Sequence, residues 1–473
     1  MNYNDFVSKQ KTKLIAPAGY GKTYTIAKCL EFTKGKQLIL THTHAGVASI
    51  KEKINSIVSV SASSYNIETI SSFAQRYVIN LYNRDEIPQQ NDHNYHSWII
   101  EKATELFDLN NVKDIIRASY SGLFIDEYQD CTIPQHKMIM KLSDILPIHI
   151  VGDPLQGIFN FNGELVDFEH DLNDFEEFPS LETPWRWNNA ENETLGKCLK
   201  KIRVDLIESN YIDFSSYDVI NFILVDNEED KYTPKTIYNR EIWKIVNDPT
   251  KNVLVLDPIS SNIDRRINFI KNFKNSFRII ESIDSDEFYK LADMVDSLVT
   301  EFKFELLREI LEKIFRKKDI DRWFNNNGVK RKKDPSENVI LSKINDYIEK
   351  AKIEKNLINI KNILLEIKNT LNCVCYRKEL FHSLLRAIDQ ALLQNISVYD
   401  AMVQNRNNIR REGRKIYGKC IGTTLLTKGL EFDTVAILDA HKFSDKKNLY
   451  VALTRGAKEV IVFSDTRNIS FVA

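Results

Sequence analysis

The stretch LIAPAGYGKTYTIAKCL, residues 14–30, decides how the first part of the chain folds. An apolar run leads into a loop that contains glycines, and a helical pattern follows the loop. Gly19 and Gly21 allow positive φ angles and let backbone N–H groups approach phosphate oxygens. Lys22 supplies a positive charge for the β- and γ-phosphates, and Thr23 supplies a hydroxyl for Mg²⁺. The stretch therefore predicts a nucleotide-binding loop between a strand and a helix.

The loop departs from the usual pattern at one position. Ala16 stands where the first glycine is expected, so a chance glycine-rich turn is the alternative interpretation. Its place after an apolar run and before a helical pattern favours nucleotide binding. The residues predicted to contact the nucleotide in this segment are Ala18, Gly19, Tyr20, Gly21, Lys22, Thr23 and Tyr24.

Apolar runs and helical patterns alternate on both sides of this loop. The early runs include QLILTHT, GLFIDE and IHIVGD, and a second set follows at 252–258, 434–440 and 459–465. Such alternation predicts an α/β fold with parallel sheets and crossover helices. Residues 286–411 are different, since Leu, Ile, Lys, Glu and Asn recur there at helical spacing. We interpret them as a helical domain inserted into a second α/β domain.

Two adjacent carboxylates end one of the early strands, in LFIDEYQD (123–130). Ligands bind at the carboxyl ends of strands in such sheets. Asp126 suits Mg²⁺, and Glu127 suits orientation and deprotonation of an attacking water. An ordinary acidic strand end is the alternative. Beside a phosphate loop, the pair favours hydrolysis over phosphate transfer to a metabolite.

Charge is unevenly distributed along the 473 residues, although the net charge is only −1. Residues 301–420 contain 26 Lys and Arg against 16 Asp and Glu. A solvated set of amphipathic helices and a basic module for a polyanion explain this equally well. No apolar run is long enough for a membrane span, and the six cysteines lack zinc-site spacing. We therefore expect a cytoplasmic protein with free thiols and no membrane contact.

Six further stretches resemble the motifs of superfamily 1A helicases of the UvrD, PcrA and Rep type. In chain order they are THTHAGVASIKEKI (41–54), ETISSFAQRY (68–77), VGDPLQGIFNFNGE (151–164), ETPWRWN (182–188), TTLLTKGLEFD (423–433) and NLYVALTRG (448–456). Each stretch alone is weak evidence for the resemblance. Together and in order they are specific to that family.

The resemblance implies an ATP site with Mg²⁺ bound by Thr23 and Asp126. In that site Gln156 senses the γ-phosphate and Trp185 stacks on adenine. Glu431 bonds the sugar, and Gln10 is the available adenine reader. The implied catalytic residues are Glu127, Asp126, Lys22, Arg455, Arg186 and Gln156, with Arg455 as the arginine finger. For Arg186 and Arg455 the alternative is an ion pair.

The resemblance also implies contacts to single-stranded DNA. The residues concerned are Thr41, Thr43, His44, Thr69, Ser71, Phe159, Phe161 and Thr424. Aromatic rings stack on bases whatever the base identity, which suits binding without sequence preference. Core packing of IFNF is the alternative for the two phenylalanines.

The family fold implies two RecA-like P-loop motor domains with small helical insertions. Domain 1A is expected at 1–75 and 119–190, with a reduced 1B insertion at 76–118. Domain 2A is expected at 191–285 and 412–473, and a 2B-like helical insertion at 286–411.

The implied activity is a DNA-dependent ATPase that translocates on single-stranded DNA, with 3′→5′ movement and helicase activity. Short chains of this build resemble the helicase-like subunit of the Gabija anti-phage system, whose partner is an ATPase–nuclease of the TOPRIM type. Partly duplex DNA is a further expected partner. A repair or recombination helicase, an ATP-gated DNA sensor that regulates a nuclease, and a nucleotide enzyme unrelated to nucleic acid are the alternatives.

Overall fold

The computed structural model describes residues 1–57, 59–88, 94–159, 163–259, 263–274, 276–282, 285–412 and 416–471. The chain forms two compact units. Unit 1 consists of Met1–Asp226, Glu412–Lys415 and Thr427–Ala473, and unit 2 consists of Asn227–Arg411 and Ile416–Leu426. No helix among the described residues combines the length and apolar character needed to cross a bilayer.

Unit 1 is built around a six-stranded sheet in which all neighbouring strands are parallel. Its strands are β1 (Lys11–Ile15), β2 (Gln37–Thr41), β3 (Tyr65–Thr69), β4 (Gly122–Ile125), β5 (Ile148–Gly152) and β6 (Glu176–Phe178). Their order is β3-β2-β4-β5-β1-β6. Because β1, β4 and β5 are neighbours, their carboxyl ends meet at one edge, which brings the phosphate loop to the acidic turn.

Helices cover both faces of this sheet. They are α1 (Tyr3–Ser8), α2 (Lys22–Cys29), α3 (His44–Asn55), α4 (Ile70–Leu81), α5 (Tyr95–Leu106), α6 (Asn110–Ser119) and α7 (Ile133–Ser143). Residues alternate along the strands, so Ile39 and Phe124 pack with α1–α3, while Leu40 and Ile125 pack with α4–α7. Continuous apolar strands are expected for a parallel sheet buried on both faces.

The rest of unit 1 contains α8 (Trp185–Asn189), α9 (Glu193–Glu208), β7 (Tyr211–Asp213), β8 (Asn221–Leu224), β12 (Phe432–Ile437), α20 (Lys446–Leu453), β13 (Gly456–Ser464) and β14 (Asn468–Ser470). Strands β12, β13 and β8 are parallel in that order, and β14 pairs antiparallel with β7.

Unit 2 contains α10 (Ile237–Val246), β9 (Val253–Leu256), α11 (Ile263–Lys271), β10 (Arg278–Ile279) and β11 (Lys419–Gly422), with the parallel order β10-β11-β9. Its helical part consists of α12 (Asp286–Thr300), α13 (Phe304–Ile314), α14 (Lys317–Trp323), α15 (Pro335–Glu354), α16 (Leu357–Asn369), α17 (Lys378–Gln394) and α18 (Val398–Glu412), which share one apolar core. Helix α19 (Thr424–Thr427) follows β11.

The α/β class is confirmed by these two sets of parallel strands. The first set forms one sheet in unit 1, and the six strands β8–β13 are divided equally between the units. The predicted boundaries of domains 1A, 1B, 2A and 2B stay a prediction.

We predict that Phe124→Ala lowers the free energy of unfolding by about 3–5 kcal/mol, because the ring is removed from a close-packed core. Phe124 is fully buried on the central strand β4, and its ring centroid lies 4.8 Å from that of His149. Urea denaturation followed by circular dichroism measures the loss. Phe32→Ala is the matched control, because Phe32 is 46% exposed. Equal losses in the two variants would contradict the proposed core.

Candidate nucleotide site

The phosphate loop connects β1 to α2 and is shaped by two glycines. Gly19 and Gly21 have φ values of 72° and 92°, and Gly21 is the N-cap of α2. A Cβ on Gly19 would lie 2.7 Å from Cζ3 of Trp187 and 2.9 Å from Cβ of Arg186. Glycine at position 19 is therefore required by conformation and by space. The loop presents backbone N–H groups at the start of a helix, where anions are favoured.

Two side chains at the start of α2 have their polar atoms directed to the loop and to the acidic turn. Lys22 is 6% exposed, and its Nζ donates to the carbonyl oxygens of Ala16 at 3.1 Å and Pro17 at 3.3 Å. The Thr23 hydroxyl donates to Oδ2 of Asp126 at 3.0 Å. A hydroxyl and a carboxylate side by side are hard oxygen ligands, so these two residues fit Mg²⁺.

The acidic turn follows β4 directly. Burial and the adjacent charge of Glu127 raise the pKa of Asp126 to about 7. Burial also acts to raise the pKa of Glu127, but the charges of Lys22 and Lys428 help to lower it below its ordinary value. Glu127 has a φ of 56°, which is a left-handed backbone conformation. This conformation is energetically unfavourable for any residue that has a side chain. Its carboxylate is thus held ionised in a strained position at the strand end.

A chain of hydrogen bonds connects Glu127 to the segment after β5. The side-chain amide of Gln129 donates to Glu127, and its Oε1 accepts from the backbone N–H of Asp153 at 2.9 Å. Asp153 is fully buried and accepts from Nε2 of Gln156 at 3.0 Å. Arg203 of α9 donates to the same carboxylate at 3.1 and 2.9 Å. The orientations of Glu127 and Gln156 are therefore fixed by one network.

Two arginines also line the site, and the backbone N–H of Arg186 donates to the carbonyl of Gly19 in the phosphate loop at 3.0 Å. Arg186 donates through Nε to Glu431 at 2.5 Å and through Nη1 to the carbonyl of Thr454 at 2.7 Å. Arg455 is 1% exposed and donates to the carbonyl oxygens of Val451 at 2.9 Å and Leu430 at 3.2 Å. Burial lowers the pKa of Arg455 to about 9, and the nearby charge of Arg186 acts in the same direction.

The two tryptophans of PWRW have different environments. Trp187 is 1% exposed, and its Nε1 donates to the carbonyl of Gly456 at 2.9 Å. Trp185 is 52% exposed and lies beside the phosphate loop, because a Cβ on Gly21 would be 3.1 Å from its Cδ1. Trp187 is thus a core residue, whereas Trp185 offers an open ring face.

These groups surround one cavity of about 660 Å³ within unit 1. The sequence-predicted ATP-site residues that line it are Ala18, Gly19, Gly21, Lys22, Thr23, Tyr24, Asp126, Glu127, Gln156, Trp185, Arg186, Glu431 and Arg455. Its volume falls within the range of ligand pockets.

Two of the predicted nucleotide contacts lie outside this lining. The Tyr20 hydroxyl donates to the carbonyl of Gly196 at 3.2 Å, and burial raises its pKa to about 12. Gln10 has an exposed side chain, and its backbone carbonyl accepts from Ile148 at 2.8 Å.

The predicted DNA contacts are distributed over several segments. Thr41, Thr43 and Phe159 line the cavity. Thr43 and Thr69 are N-caps, accepting from the backbone N–H groups of Gly46 and Ser72 at 3.0 Å each. His44 begins α3, Ser71 lies in the first turn of α4, and Thr424 begins α19 in unit 2. Phe161 is outside the described residues.

The chain is similar in sequence to several known proteins. A family model described as "AAA domain" matches residues 3–162. The Gabija protein GajB of Bacillus cereus (strain VD045) is 25% identical over 246 residues, which are 44% of this chain and 49% of that protein. The RecBCD enzyme subunit RecB of Buchnera aphidicola is 32% identical over 79 residues, 16% of this chain and 7% of RecB.

A third relative is the exonuclease/helicase subunit RexA of Lactococcus lactis, 29% identical over 117 residues, 24% of this chain and 10% of RexA. The resemblance to UvrD-like superfamily 1 helicases is confirmed. The matched regions span half or less of these relatives' own lengths.

Among solved structures, arterivirus nonstructural protein 10 (helicase) with DNA aligns over 97% of this chain and 63% of that chain, at 9% identity and a TM-score of 0.35. At that score the alignment adds nothing to the site.

Several residues that line the cavity were not predicted as site residues from the sequence. They are His42, Ser49, Lys53, Asp130, Asn189 and Lys428. Asp130 ends LFIDEYQD, and Lys428 lies inside TTLLTKGLEFD, so both belong to stretches that were already chosen. Their signal was a charged residue close to the apolar residues of a strand, where a buried charge needs a partner.

We expect the two tryptophans to separate folding from nucleotide binding. Trp187→Ala should lower the free energy of unfolding by about 3–5 kcal/mol, since it empties a core site. Trp185→Ala should leave unfolding nearly unchanged and weaken binding by a factor of about 5 to 100, the usual effect of losing a base-stacking ring. Urea denaturation and titration with a fluorescent ATP analogue measure the two effects. Unchanged nucleotide affinity in a folded Trp185→Ala protein would remove this ring from the site.

Proposed function

We propose that the chain is a DNA-dependent ATPase that translocates on single-stranded DNA, with ATP and Mg²⁺ bound in the cavity of unit 1. The observation that supports this most is the meeting of five motif segments around one cavity. Lys22, the Asp126–Glu127 pair, Gln156, Arg186 and Arg455 all line it. Positive groups beside carboxylates at a strand end are what hydrolysis of a triphosphate requires.

The hydrogen bonds that Lys22 and Arg455 make in this structure are compatible with phosphate binding. Lys22 and Arg455 donate to backbone carbonyls, which are neutral acceptors. Charged phosphate oxygens form stronger hydrogen bonds with the same donors. The loop N–H groups and Lys22 therefore bind the phosphates, and Trp185 and Glu431 bind the base and the sugar.

Hydrolysis then depends on Glu127 and the arginines. Thr23 and Asp126 would hold Mg²⁺, which would supply neutralisation of the phosphate charge. Glu127 is ionised and oriented by Gln129, so it can accept the proton of the attacking water. Arg455, with Arg186, stabilises charge that develops in the transition state, an effect of about 10³ to 10⁵ in rate.

Movement along DNA is the finer part of the proposal. Thr41, Thr43 and Phe159 line the same cavity as the catalytic groups, which supports DNA contacts that respond to the nucleotide. The resemblance implies 3′→5′ movement and strand separation. The similarity to Gabija protein GajB supports a motor subunit of an anti-phage complex, with a nuclease of the ATPase/TOPRIM type as its partner.

Two variants of the site should fail at different steps. We expect Lys22→Ala to abolish ATP turnover and weaken nucleotide binding, because the charge that holds the phosphates is lost. Glu127→Gln keeps the shape of the side chain but cannot accept a proton, so turnover should fall by about 10² or more while binding persists. Phosphate release and nucleotide titration measure the two properties, and Lys34→Ala, at an exposed lysine, is the control. Full turnover in Lys22→Ala would refute the site.

We expect single-stranded DNA to raise the ATPase rate, with a half-saturating DNA concentration that rises with salt, because phosphate contacts release counterions. An oligonucleotide titration at several NaCl concentrations measures this. A strand-displacement assay with 3′- and 5′-tailed duplexes then separates a helicase from an ATP-gated sensor. An ATPase rate that ignores DNA at every salt concentration would contradict the proposal.

A further inference from the structure

Lys428 makes an unusual set of contacts in the wall of the cavity. It precedes β12 in unit 1, and its side chain is 8% exposed. Its Nζ lies 2.5 Å from each carboxylate oxygen of Asp130 and 2.5 Å from the carbonyl oxygen of Gln156. An ammonium group has three N–H donors. These acceptors account for all three.

Burial of this ion pair has a desolvation cost in free energy. Burial lowers the pKa of Lys428, and it raises the pKa of Asp130 to about 7 despite the opposing charge of the partner. Buried ion pairs are often no more stabilising than apolar residues of the same size. The pair is therefore better explained by what it connects than by a contribution to stability.

Two functional segments, the acidic turn after β4 and the stretch 151–164, meet at the ammonium group. Asp130 belongs to the turn that carries Glu127, to whose carbonyl its backbone N–H donates at 3.0 Å. Gln156 is the proposed γ-phosphate sensor. The Phe159 ring centroid lies 4.6 Å from Nζ of Lys428, within the range of a cation–π contact.

We propose that Lys428 is a positioning residue that makes hydrolysis at Glu127 respond to a nucleobase stacked on Phe159. This inference rests on the proposed function, since it assumes that DNA and ATP act on the same chain. A base that stacks on the ring competes with the ammonium group for the aromatic face. The ammonium then shifts relative to Asp130 and the Gln156 carbonyl.

The consequence of such a shift is structural, because the ammonium group holds Asp130 and the Gln156 carbonyl together. If the ammonium moves, the turn that carries Glu127 and the Gln156 segment change position together. Base stacking thereby alters the catalytic groups without touching the nucleotide.

The test is a double-mutant cycle on the DNA stimulation factor, which is the ATPase rate at saturating oligo(dT) divided by the rate without DNA. Lys428→Met removes the charge and keeps the length, and Phe159→Leu removes the ring. We expect each variant to lower the factor by about 5-fold or more, in the usual range of coupling between sites. The stimulation factor of the double variant should be no lower than that of the more strongly affected single variant, because both substitutions break the same connection.

Three controls distinguish positioning from a structural defect. Lys428→Arg keeps the charge and should recover a large part of the stimulation. Lys51→Met changes an exposed lysine of α3 and should behave as wild type. Urea denaturation and nucleotide titration establish that each variant is folded and binds ATP.

The outcomes are separable. If wild type is stimulated by DNA and the two single losses multiply in the double variant, Lys428 does not connect them and the inference is wrong while the proposed function stands. The same conclusion follows if a folded Lys428→Met protein keeps the wild-type factor. If wild type itself is not stimulated by DNA, the proposed function fails and the inference fails with it.

Discussion

The structure of the site depends on a balance of buried charge after strand β4. Asp126, Glu127 and Asp130 place three carboxylates within five residues, and burial acts to raise the pKa of each. Lys22 and Lys428 oppose this from two sides. The balance is uneven, since Asp126 and Asp130 have raised pKa values while that of Glu127 is lowered. The carboxylate that hydrolysis needs as a base, Glu127, is the one whose pKa is lowered.

Two of the remaining cations have neutral partners, because Lys22 and Arg455 donate to backbone carbonyls. Arg186 divides its donors between the Glu431 carboxylate and a carbonyl. Negative charge supplied by a ligand would therefore meet, at Lys22 and Arg455, donors that are already oriented and bound to neutral groups. Such preorganisation avoids rearrangement when charge develops. Placement of the donors, more than their number, suits the cavity to a polyphosphate.

Local patterns were sufficient for much of this architecture. Strands β1, β4 and β5 follow from apolar runs, and the loop before Lys22 follows from two glycines in left-handed conformations. Contacts between residues far apart in the sequence could not be predicted from local patterns. Lys428 and Asp130 are separated by 298 positions, and Arg186 and Glu431 by 245, so only the assembled chain brings them together. Motif resemblance could supply Arg186 and Glu431 but gave no role to the Lys428 pair.

Residues that are adjacent in sequence can also lie in different environments in the structure. A sequence motif therefore does not show which of its residues line the site. Tyr20 lies between two loop glycines, yet its hydroxyl bonds Gly196 outside the cavity lining. The polar stretch NNNGVKRKKDPSEN (325–338) predicts a break between helices, yet α15 begins inside it at Pro335. Proline lacks an N–H and has a fixed φ, so it suits the first turn of a helix, and Asp334 caps it by accepting from Ser336. The polar composition therefore identifies the break between helices. The position at which the break ends depends on one capping residue, Asp334.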